Sequence, residues 1–246
     1  MQEGAITYRA EDGVAIITIA RPEKRNALSA AMCDQLADAL ARLESGDERV
    51  GLLCAEGETF CAGADLTSPP EHFWRCVPGV GVTLTKPLIA VVQGPVVGMA
   101  VAIMAFCDLC VASEDTRFIY PEAKIGLSKG LISALGARVP HKFAMEMMLL
   151  GGPISAARAF DVGFVNRVTP AGQQLAVAQE MARALAASAP LVLAQLKTLV
   201  DATLPVSPAE TMYRTSALVE RVTRSDDARE GVRSFHEKRQ PNFKGI

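Results

Sequence analysis

Residues 60–66 read FCAGADL, and they combine four small residues with a charged one. From Cys61 to Ala64 the chain offers almost no side chain, and the run ends on Asp65. Backbone as bare as this lets a polar ligand atom approach main-chain N–H groups. A tight turn after a strand needs the same residue types. On these seven residues alone, both interpretations stay open.

A second stretch, QGPVVGMA at residues 93–100, adds weight to the ligand interpretation. It reads as a strand that ends in glycines and runs into GMAVAIMAFC, residues 98–107, which is apolar on every side and predicts a buried helix. A junction of strand and helix points free N–H groups out of the helix start. Two such junctions side by side could hold one oxygen atom.

Composition limits the class of protein. The 246 residues are 50% hydrophobic and 21% charged, which suits one domain with an appendage or two small domains. The formal net charge is −2, so we expect no nucleic-acid partner. The N-terminus resembles no export signal, and no apolar run is long enough for a bilayer. Six scattered cysteines suggest buried, reduced thiols. We therefore expect a cytoplasmic protein without a membrane partner.

Short apolar runs alternate with helical patterns in the first two thirds of the chain, which predicts an α/β core. Ser29 is the predicted N-cap of the first helix. After about residue 130 strand signals become rare, and helices dominate the C-terminal third. The predicted strands are 14–20, 50–57, 87–94, 108–113 and 164–168, and the predicted C-terminal helices are 173–188, 190–203, 208–224 and 226–239, the last capped near Asp226.

Other motifs carry little weight. The pair Cys107 and Cys110 stands alone, and the three histidines form no metal-binding pattern, so no metal site is predicted. Residues 126–130, GLSKG, match the G-x-S-x-G turn of serine hydrolases, with Asp226 and His236 following in the required order. Proline and charged residues interrupt the strand that such a turn requires. A hydrolase acting through Ser128 is retained only as a check.

Three more segments join the two glycine-rich stretches: RPEKRNAL at 21–28, PEAKIGL at 121–127 and FHEKRQPNFKG at 235–245. With this order and spacing the whole chain resembles the crotonase superfamily, also called the enoyl-CoA hydratase/isomerase family. The resemblance implies a spiral of strand-strand-helix turns, residues 1–189, followed by a helical region, residues 190–246, that forms trimers or hexamers. It also implies acyl-CoA substrates and no cofactor, because coenzyme A belongs to the substrate.

The resemblance assigns roles to particular residues. The backbone N–H groups of Ala64 and Met99 should form an oxyanion hole for the thioester oxygen, and Glu122 should be the catalytic base. Hydratases of the family use two glutamates, and the earlier one falls on Ala102 here. With one carboxylate left, we expect an isomerase that moves a double bond. A hydratase, or an acyl-CoA-binding protein with weak catalysis, remains the alternative.

Contacts to coenzyme A also follow from the resemblance. Asp65 could equally be a local cap, and Lys238 could be an exposed lysine at a helix end rather than a phosphate contact to a neighbouring subunit. The segment 68–82 should cover the acyl pocket, where Phe73 and Trp74 either line it or pack. The residues expected to contact coenzyme A are Lys24, Arg25, Ala27, Ala62, Asp65, Leu66, Phe235 and Lys238.

Overall fold

The computed structural model describes residues 5–246 and contains nine β-strands. The five strands expected from the sequence are confirmed within a few residues, and four further strands were missed. Three of those four, β5, β7 and β8, have only two or three residues, too few for a periodic pattern. The strands are β1 (Ala5–Glu11), β2 (Val14–Ala20), β3 (Val50–Ala55), β4 (Leu88–Val92), β5 (Pro95–Val97), β6 (Leu109–Ser113), β7 (Arg117–Ile119), β8 (Ile154–Ser155) and β9 (Arg167–Thr169).

The strands form two sheets. The larger one has the order β1-β2-β3-β4-β6-β9, and all its neighbours run parallel except the hairpin of β1 and β2. The smaller sheet has the order β5-β7-β8, with β5 and β7 parallel. A parallel sheet needs crossover connections that cover its faces, so helices are expected on both sides.

Nine α-helices accompany the strands within residues 5–246. Ser29 caps the first helix as expected, since its side chain accepts a hydrogen bond from the N–H of Met32. The helices are α1 (Ala30–Ser45), α2 (Met99–Ala105), α3 (Glu122–Ile125), α4 (His141–Met145), α5 (Ala156–Asp161), α6 (Gln174–Ala186), α7 (Pro190–Asp201), α8 (Pro208–Thr223) and α9 (Asp226–Glu237).

Strand β2 shows how the larger sheet is covered on both faces. Ile17 belongs to the cluster that contains the apolar face of α1, while Ile16 packs in a separate cluster with Ala178 and Ala182 of α6. Successive side chains of a strand point to opposite faces, so a continuous apolar run such as VAIITIA fits a strand buried on both sides. Helix α6 therefore packs on the sheet as part of the core.

Successive turns of chain each add one strand to each sheet. Strand β4 joins the larger sheet, β5 joins the smaller one, and α2 follows; β6, β7 and α3 repeat the pattern. Cys61 forms an isolated parallel bridge with Val96, so the segment after β3 begins the second layer in the same way. The fold is the expected crotonase-like spiral of strand-strand-helix turns, an α/β core with a helical C-terminal region.

The C-terminal helices α7, α8 and α9 leave much apolar surface uncovered. Leu191 of α7 is 84% exposed and Phe235 of α9 is 81% exposed. Helix α9 is capped near Asp226 as expected: the hydroxyl of Ser225, one residue earlier, accepts a hydrogen bond from the N–H of Ala228. Among residues 5–246, no helix alone has the length and apolarity for a bilayer span; α6 and α7 meet the criterion together, with a bend of 107° between them.

Candidate active site

The two glycine-rich stretches lie side by side in the structure. Cys61 and Val96 pair as a parallel bridge, and the N–H of Val97 donates to the carbonyl of Cys61 at 2.9 Å. Ala64 and Met99 each follow their bridge residue by three positions, so the parallel register brings them to the same level.

The direction of the Ala64 N–H group is fixed by a hydrogen bond to the carbonyl of Gly63, which belongs to the same peptide group. The carbonyl of Gly63 accepts a hydrogen bond from the N–H of Leu28 at 2.8 Å. In a trans peptide the C=O and N–H groups point in opposite directions, so the N–H of Ala64 points away from Leu28. It donates to no acceptor among the described residues.

The N–H of Met99 also lacks an acceptor among the described residues, for a different reason. Met99 is the first residue of α2, and the first N–H groups of a helix have no partner within it. The expectation of two helix starts was half wrong, because Ala64 sits at an isolated bridge to Leu28 and no helix follows it directly. The N–H of Met99 is freed by its place at a helix start, and the N–H of Ala64 by the hydrogen bond that the Gly63 carbonyl of the same peptide accepts.

Gly63 and Gly98 allow the close approach of these backbones. Gly63 has φ +96°, and a Cβ there would lie 3.1 Å from the carbonyl oxygen of Val97. Gly98 has φ +57°, and a Cβ there would lie 2.7 Å from Oε1 of Glu122. Both positions therefore need glycine, for conformation and for space.

These backbones open into a cleft of about 400 Å³. Three segments surround it: a first wall from residues 62–73, a floor from residues 97–102 and a second wall from residues 120–132. Most of the lining is apolar. The lining residues are Ala62, Gly63, Ala64, Leu66, Pro69, Pro70, Phe73, Val97, Gly98, Met99, Ala102, Tyr120, Pro121, Glu122, Ile125, Leu127, Ser128, Lys129, Leu131 and Ile132.

Glu122 begins α3 and reaches the start of α2. The N–H of Gly98 donates to the carbonyl of Ile119 at 2.8 Å, which fixes the chain just before Glu122 against that helix start. Oε2 of Glu122 is buried without a hydrogen-bond partner among the described residues. Because burial disfavours the charged form, the pKa of Glu122 rises from its ordinary value of 4.5 to about 7. A carboxyl group with such a pKa suits proton transfer near neutral pH.

The cleft has one further polar group that the sequence did not reveal. Ala102 lines the floor at the position where the resemblance would place a second carboxylate. Its methyl group carries no charge. Tyr120 is only 8% exposed, lines the cleft and donates to no described residue, yet its hydroxyl is not fully buried. Burial, and secondarily the charge of Glu122, raises the pKa of Tyr120, so the phenol stays a neutral donor. Only its position directly before Pro121 and Glu122 hinted at this role.

The loop of residues 21–28 runs along the first wall. Asn26 is fully buried, and its amide donates to the carbonyls of Glu56 and Thr59 at 2.8 and 2.7 Å. The N–H of Ala62 donates to the carbonyl of Arg25 at 2.9 Å. Six of the residues expected to contact coenzyme A are thus brought together along this loop and wall: Lys24, Arg25, Ala27, Ala62, Asp65 and Leu66.

Asp65 uses both of its carboxylate oxygens within the chain. Oδ2 accepts from Arg21 Nη1 at 2.7 Å, and Oδ1 accepts from the N–H and the hydroxyl of Thr67 at 2.9 and 2.6 Å. Hydrogen bonds from Thr67, then from Arg21, hold the pKa of Asp65 well below its usual range. Both carboxylate oxygens are thus bonded within the chain, and the side chain acts as the local cap that was the alternative in the sequence.

Two sets of residues are not brought to the cleft. Phe235 and Lys238 lie at the end of α9, away from the cleft lining. Ser128 lines the cleft, but it follows α3 and not a strand, so the turn required of a serine nucleophile is absent. Its proposed partners Asp226 and His236 lie on α9 outside that lining, and the hydrolase hypothesis is wrong on this geometry.

Comparison with known proteins agrees with this geometry. The family model described as enoyl-CoA hydratase/isomerase matches residues 9–75 and 80–246. Enoyl-CoA hydratase EchA19 of Mycobacterium tuberculosis is 35% identical over 93% of this chain and 92% of that protein. The rat mitochondrial enoyl-CoA hydratase domain-containing protein 3 is 33% identical over 95% of this chain and 82% of that protein.

The structural comparison gives the same result over nearly the full length. The crystal structure of an enoyl-CoA hydratase from Mycobacterium tuberculosis has a TM-score of 0.75 and 33% identity, and the match covers 98% of this chain and 99% of that one. With two free N–H groups above an apolar cleft and a carboxyl group beside them, the chain belongs to the enoyl-CoA hydratase/isomerase family, the crotonase superfamily.

Proposed function

We propose that this chain is an enoyl-CoA isomerase that moves the double bond of a 3-enoyl thioester into conjugation, with Glu122 as its only base. The observation that carries the proposal is the carboxylate content of the cleft. Among the described lining residues, Glu122 has the only carboxylate, and the floor position for a second one is Ala102.

In the proposed reaction Glu122 removes a proton from C2 of the substrate. The electrons of the broken C–H bond move into the thioester carbonyl, and the resulting oxyanion is held by the N–H groups of Ala64 and Met99. Glu122 then returns the proton at C4, which leaves the double bond between C2 and C3. Two preorganised donors support such an oxyanion, since removing one from a comparable site costs about 2.7 to 4 kcal/mol.

The apolar floor supports proton shuttling. The methyl group of Ala102 offers no hydrogen bond to a water molecule, so it favours a dry site. A dry site keeps the proton on Glu122 between its removal and its return.

Hydration is the second candidate, and Tyr120 is the observation that favours it. Among the described lining residues, its hydroxyl is the remaining polar side-chain group on the buried side of the cleft, because Ser128 and Lys129 are exposed. A neutral phenol could hold the water that Glu122 deprotonates. The names of the two relatives above also refer to a hydratase.

Coenzyme A should lie along the loop of residues 21–28 and the first wall, largely through backbone contacts. The residues proposed there are Lys24, Arg25, Ala27, Ala62, Asp65 and Leu66, with Asp65 shaping the wall through its bonds to Arg21 and Thr67. Phe235 and Lys238 are proposed to reach the coenzyme of a neighbouring subunit, since they do not line the cleft of their own chain.

We propose that residues 190–246, a helical region beyond the core of residues 1–189, assemble the chain into a trimer or a dimer of trimers. Such an assembly would place Phe235 and Lys238 beside the coenzyme of a neighbouring subunit. The uncovered apolar side chains of α7 and α9 support such an assembly. Light scattering at micromolar concentration tests it, and a monomer would contradict both the assembly and the contacts across subunits.

One assay separates the two reactions. Isomerisation of 3-hexenoyl-CoA creates the absorbance of a conjugated thioester, and hydration of 2-hexenoyl-CoA destroys it. We expect the rate of isomerisation to exceed the rate of hydration. Glu122→Gln should lower the rate of isomerisation by about a hundredfold or more. A dominant hydration rate that also falls in Tyr120→Phe would favour the second candidate. A folded protein that binds both thioesters and converts neither would identify an acyl-CoA-binding protein.

A further inference from the structure

The cleft has an exposed mouth and a buried inner end. Leu66, Ile125 and Leu127 are 52 to 70% exposed and surround the mouth. The inner end is formed by side chains at most 8% exposed, which are Phe73, Tyr120, Leu131 and Ile132. An acyl chain that enters from the mouth with its thioester at the two N–H groups would extend toward this inner end.

Tyr213 of α8 lies behind the inner end and contacts both walls. Its ring centroid is 5.8 Å from that of Phe73 in an edge-to-face arrangement, and it stacks on Trp74 at 6.1 Å. Its hydroxyl donates to the main-chain carbonyl of Lys129 at 2.6 Å. Phe73 belongs to the first wall and Lys129 to the second, so Tyr213 joins the two walls.

Helix α8 is fixed against the core at both ends of this contact. At its start, a Cβ at Gly130 would lie 3.2 Å from Cβ of Ala209, so the second wall packs closely on the helix. Farther along, Arg75 Nε donates to Glu220 Oε2 at 2.8 Å, and a second bond joins Arg75 Nη2 to the same carboxylate. Tyr213 is therefore held in place between two anchors.

We propose that Tyr213 limits the length of the acyl chain that the cleft accepts, and that the substrates are thioesters of short acyl chains. Tyr213 does not line the cleft itself, so it acts as a positioning residue through Phe73 and the second wall. The edge-to-face contact keeps the ring of Phe73 across the inner end, and the bond to Lys129 keeps the second wall from moving outward. The inference rests on the proposed acyl-CoA function, but not on which reaction follows.

Binding of saturated acyl-CoA thioesters tests the proposal without any reaction. Titration calorimetry would compare butyryl-, hexanoyl-, octanoyl- and decanoyl-CoA on the wild type, Tyr213→Phe and Tyr213→Ala. The wild type should bind decanoyl-CoA no more tightly than butyryl-CoA. In Tyr213→Ala the ratio of decanoyl to butyryl affinity should rise at least about fivefold, because the added methylene groups become buried. Tyr213→Phe keeps the ring contacts but loses the bond to Lys129, so its ratio should lie between those of the wild type and Tyr213→Ala.

Thr215→Ala is the matched control, since Thr215 is exposed on the same helix and its hydroxyl donates to the carbonyl of Thr211, one turn earlier in that helix. It should leave the length profile unchanged. If Tyr213→Ala does not fold in a thermal melt, Tyr213→Leu takes its place with the same expected rise.

Three results would overturn the inference. A wild-type affinity that rises steadily to decanoyl-CoA would show that the inner end is open. A folded Tyr213 variant that loses the same factor at every length would show a structural role only. A folded wild type that binds none of the four thioesters would refute the proposed function, and this inference with it.

Discussion

The raised pKa of Glu122 predicts an unusual pH dependence of activity. At a pKa of about 7 only about one tenth of the carboxyl groups are ionised at pH 6, whereas at the ordinary value of 4.5 nearly all would be. Because the free enzyme needs the ionised base, kcat/KM should fall about tenfold for each pH unit below 7. The value of kcat/KM should be constant above about pH 8, where ionisation is complete.

The assay is the rate of formation of the conjugated thioester from 3-hexenoyl-CoA between pH 5 and 9. Glu122→Gln should lose about a hundredfold at pH 8 and show no such rise with pH in its residual rate. A wild-type profile that is flat from pH 5.5 to 8, or a rise that persists in Glu122→Gln, would refute the assignment of Glu122 as the base.

The same shift has a signature in stability that does not depend on substrate. Between pH 4.5 and 7 the folded protein binds the Glu122 proton more tightly than the unfolded chain does. The contribution of this group to the free energy of unfolding therefore decreases as the pH rises through that window. Glu122→Gln removes this loss, so the free energy of unfolding of the variant minus that of the wild type should grow from pH 4.5 to 7. A difference that is constant with pH would place the carboxyl group in water.

Three further substitutions test the site. Gly98→Ala should lower the free energy of unfolding by about 1 to 3 kcal/mol, because its backbone has a positive φ. Its added Cβ would also meet Oε1 of Glu122 and lower kcat/KM by about tenfold or more. The control Gly13→Ala, with φ +75° and no described atom within 4 Å of the added Cβ, should lower only the stability. Asp65→Asn should lower the free energy of unfolding by roughly 1 to 3 kcal/mol in urea titrations, because it weakens the capped loop, and an unchanged midpoint would deny that role. Ser128→Ala should keep most of the isomerase or hydratase rate. Loss of activity in Ser128→Ala together with retained activity in Glu122→Gln would restore the hydrolase hypothesis.

Local patterns in the sequence predicted the core elements well. Strand β2 is a continuous apolar run, and α1 combines a serine cap with a one-sided apolar face, so propensity and burial favour the same element. The C-terminal helices were predicted for the same reason, with ends that differ by one or two residues. Strand β1 was missed because it lies at the sheet edge and its residues are largely exposed, which leaves no strong apolar alternation.

Residue patterns alone indicated the site only where the backbone forms it, and Glu122 was assigned through the family resemblance. Glycines with φ of +96° and +57° mark the approach of the two loops, and a glycine-rich pattern in the sequence signals such places. Tyr120 and Tyr213 carry no comparable signal, because their importance comes from contacts between segments far apart in the chain. The free hydroxyl of Tyr120 and the bond from Tyr213 to Lys129 appear only after folding.

In the proposed mechanism the two donors to the thioester oxygen are main-chain groups, so their directions should tolerate changes of side chain. The N–H of Ala64 is aimed by the bond from Leu28 to the Gly63 carbonyl, and the N–H of Met99 by its place at a helix start, so neither direction depends on the residue's own side chain. A change of side chain at residue 102 on the floor should therefore alter the proposed reaction without moving the two N–H groups. The side chains proposed to govern proton transfer and acyl length come instead from the second wall and from α8. Selection for a new substrate or reaction would thus act on Glu122, Tyr120 and Tyr213 while the backbone of the two loops stays fixed.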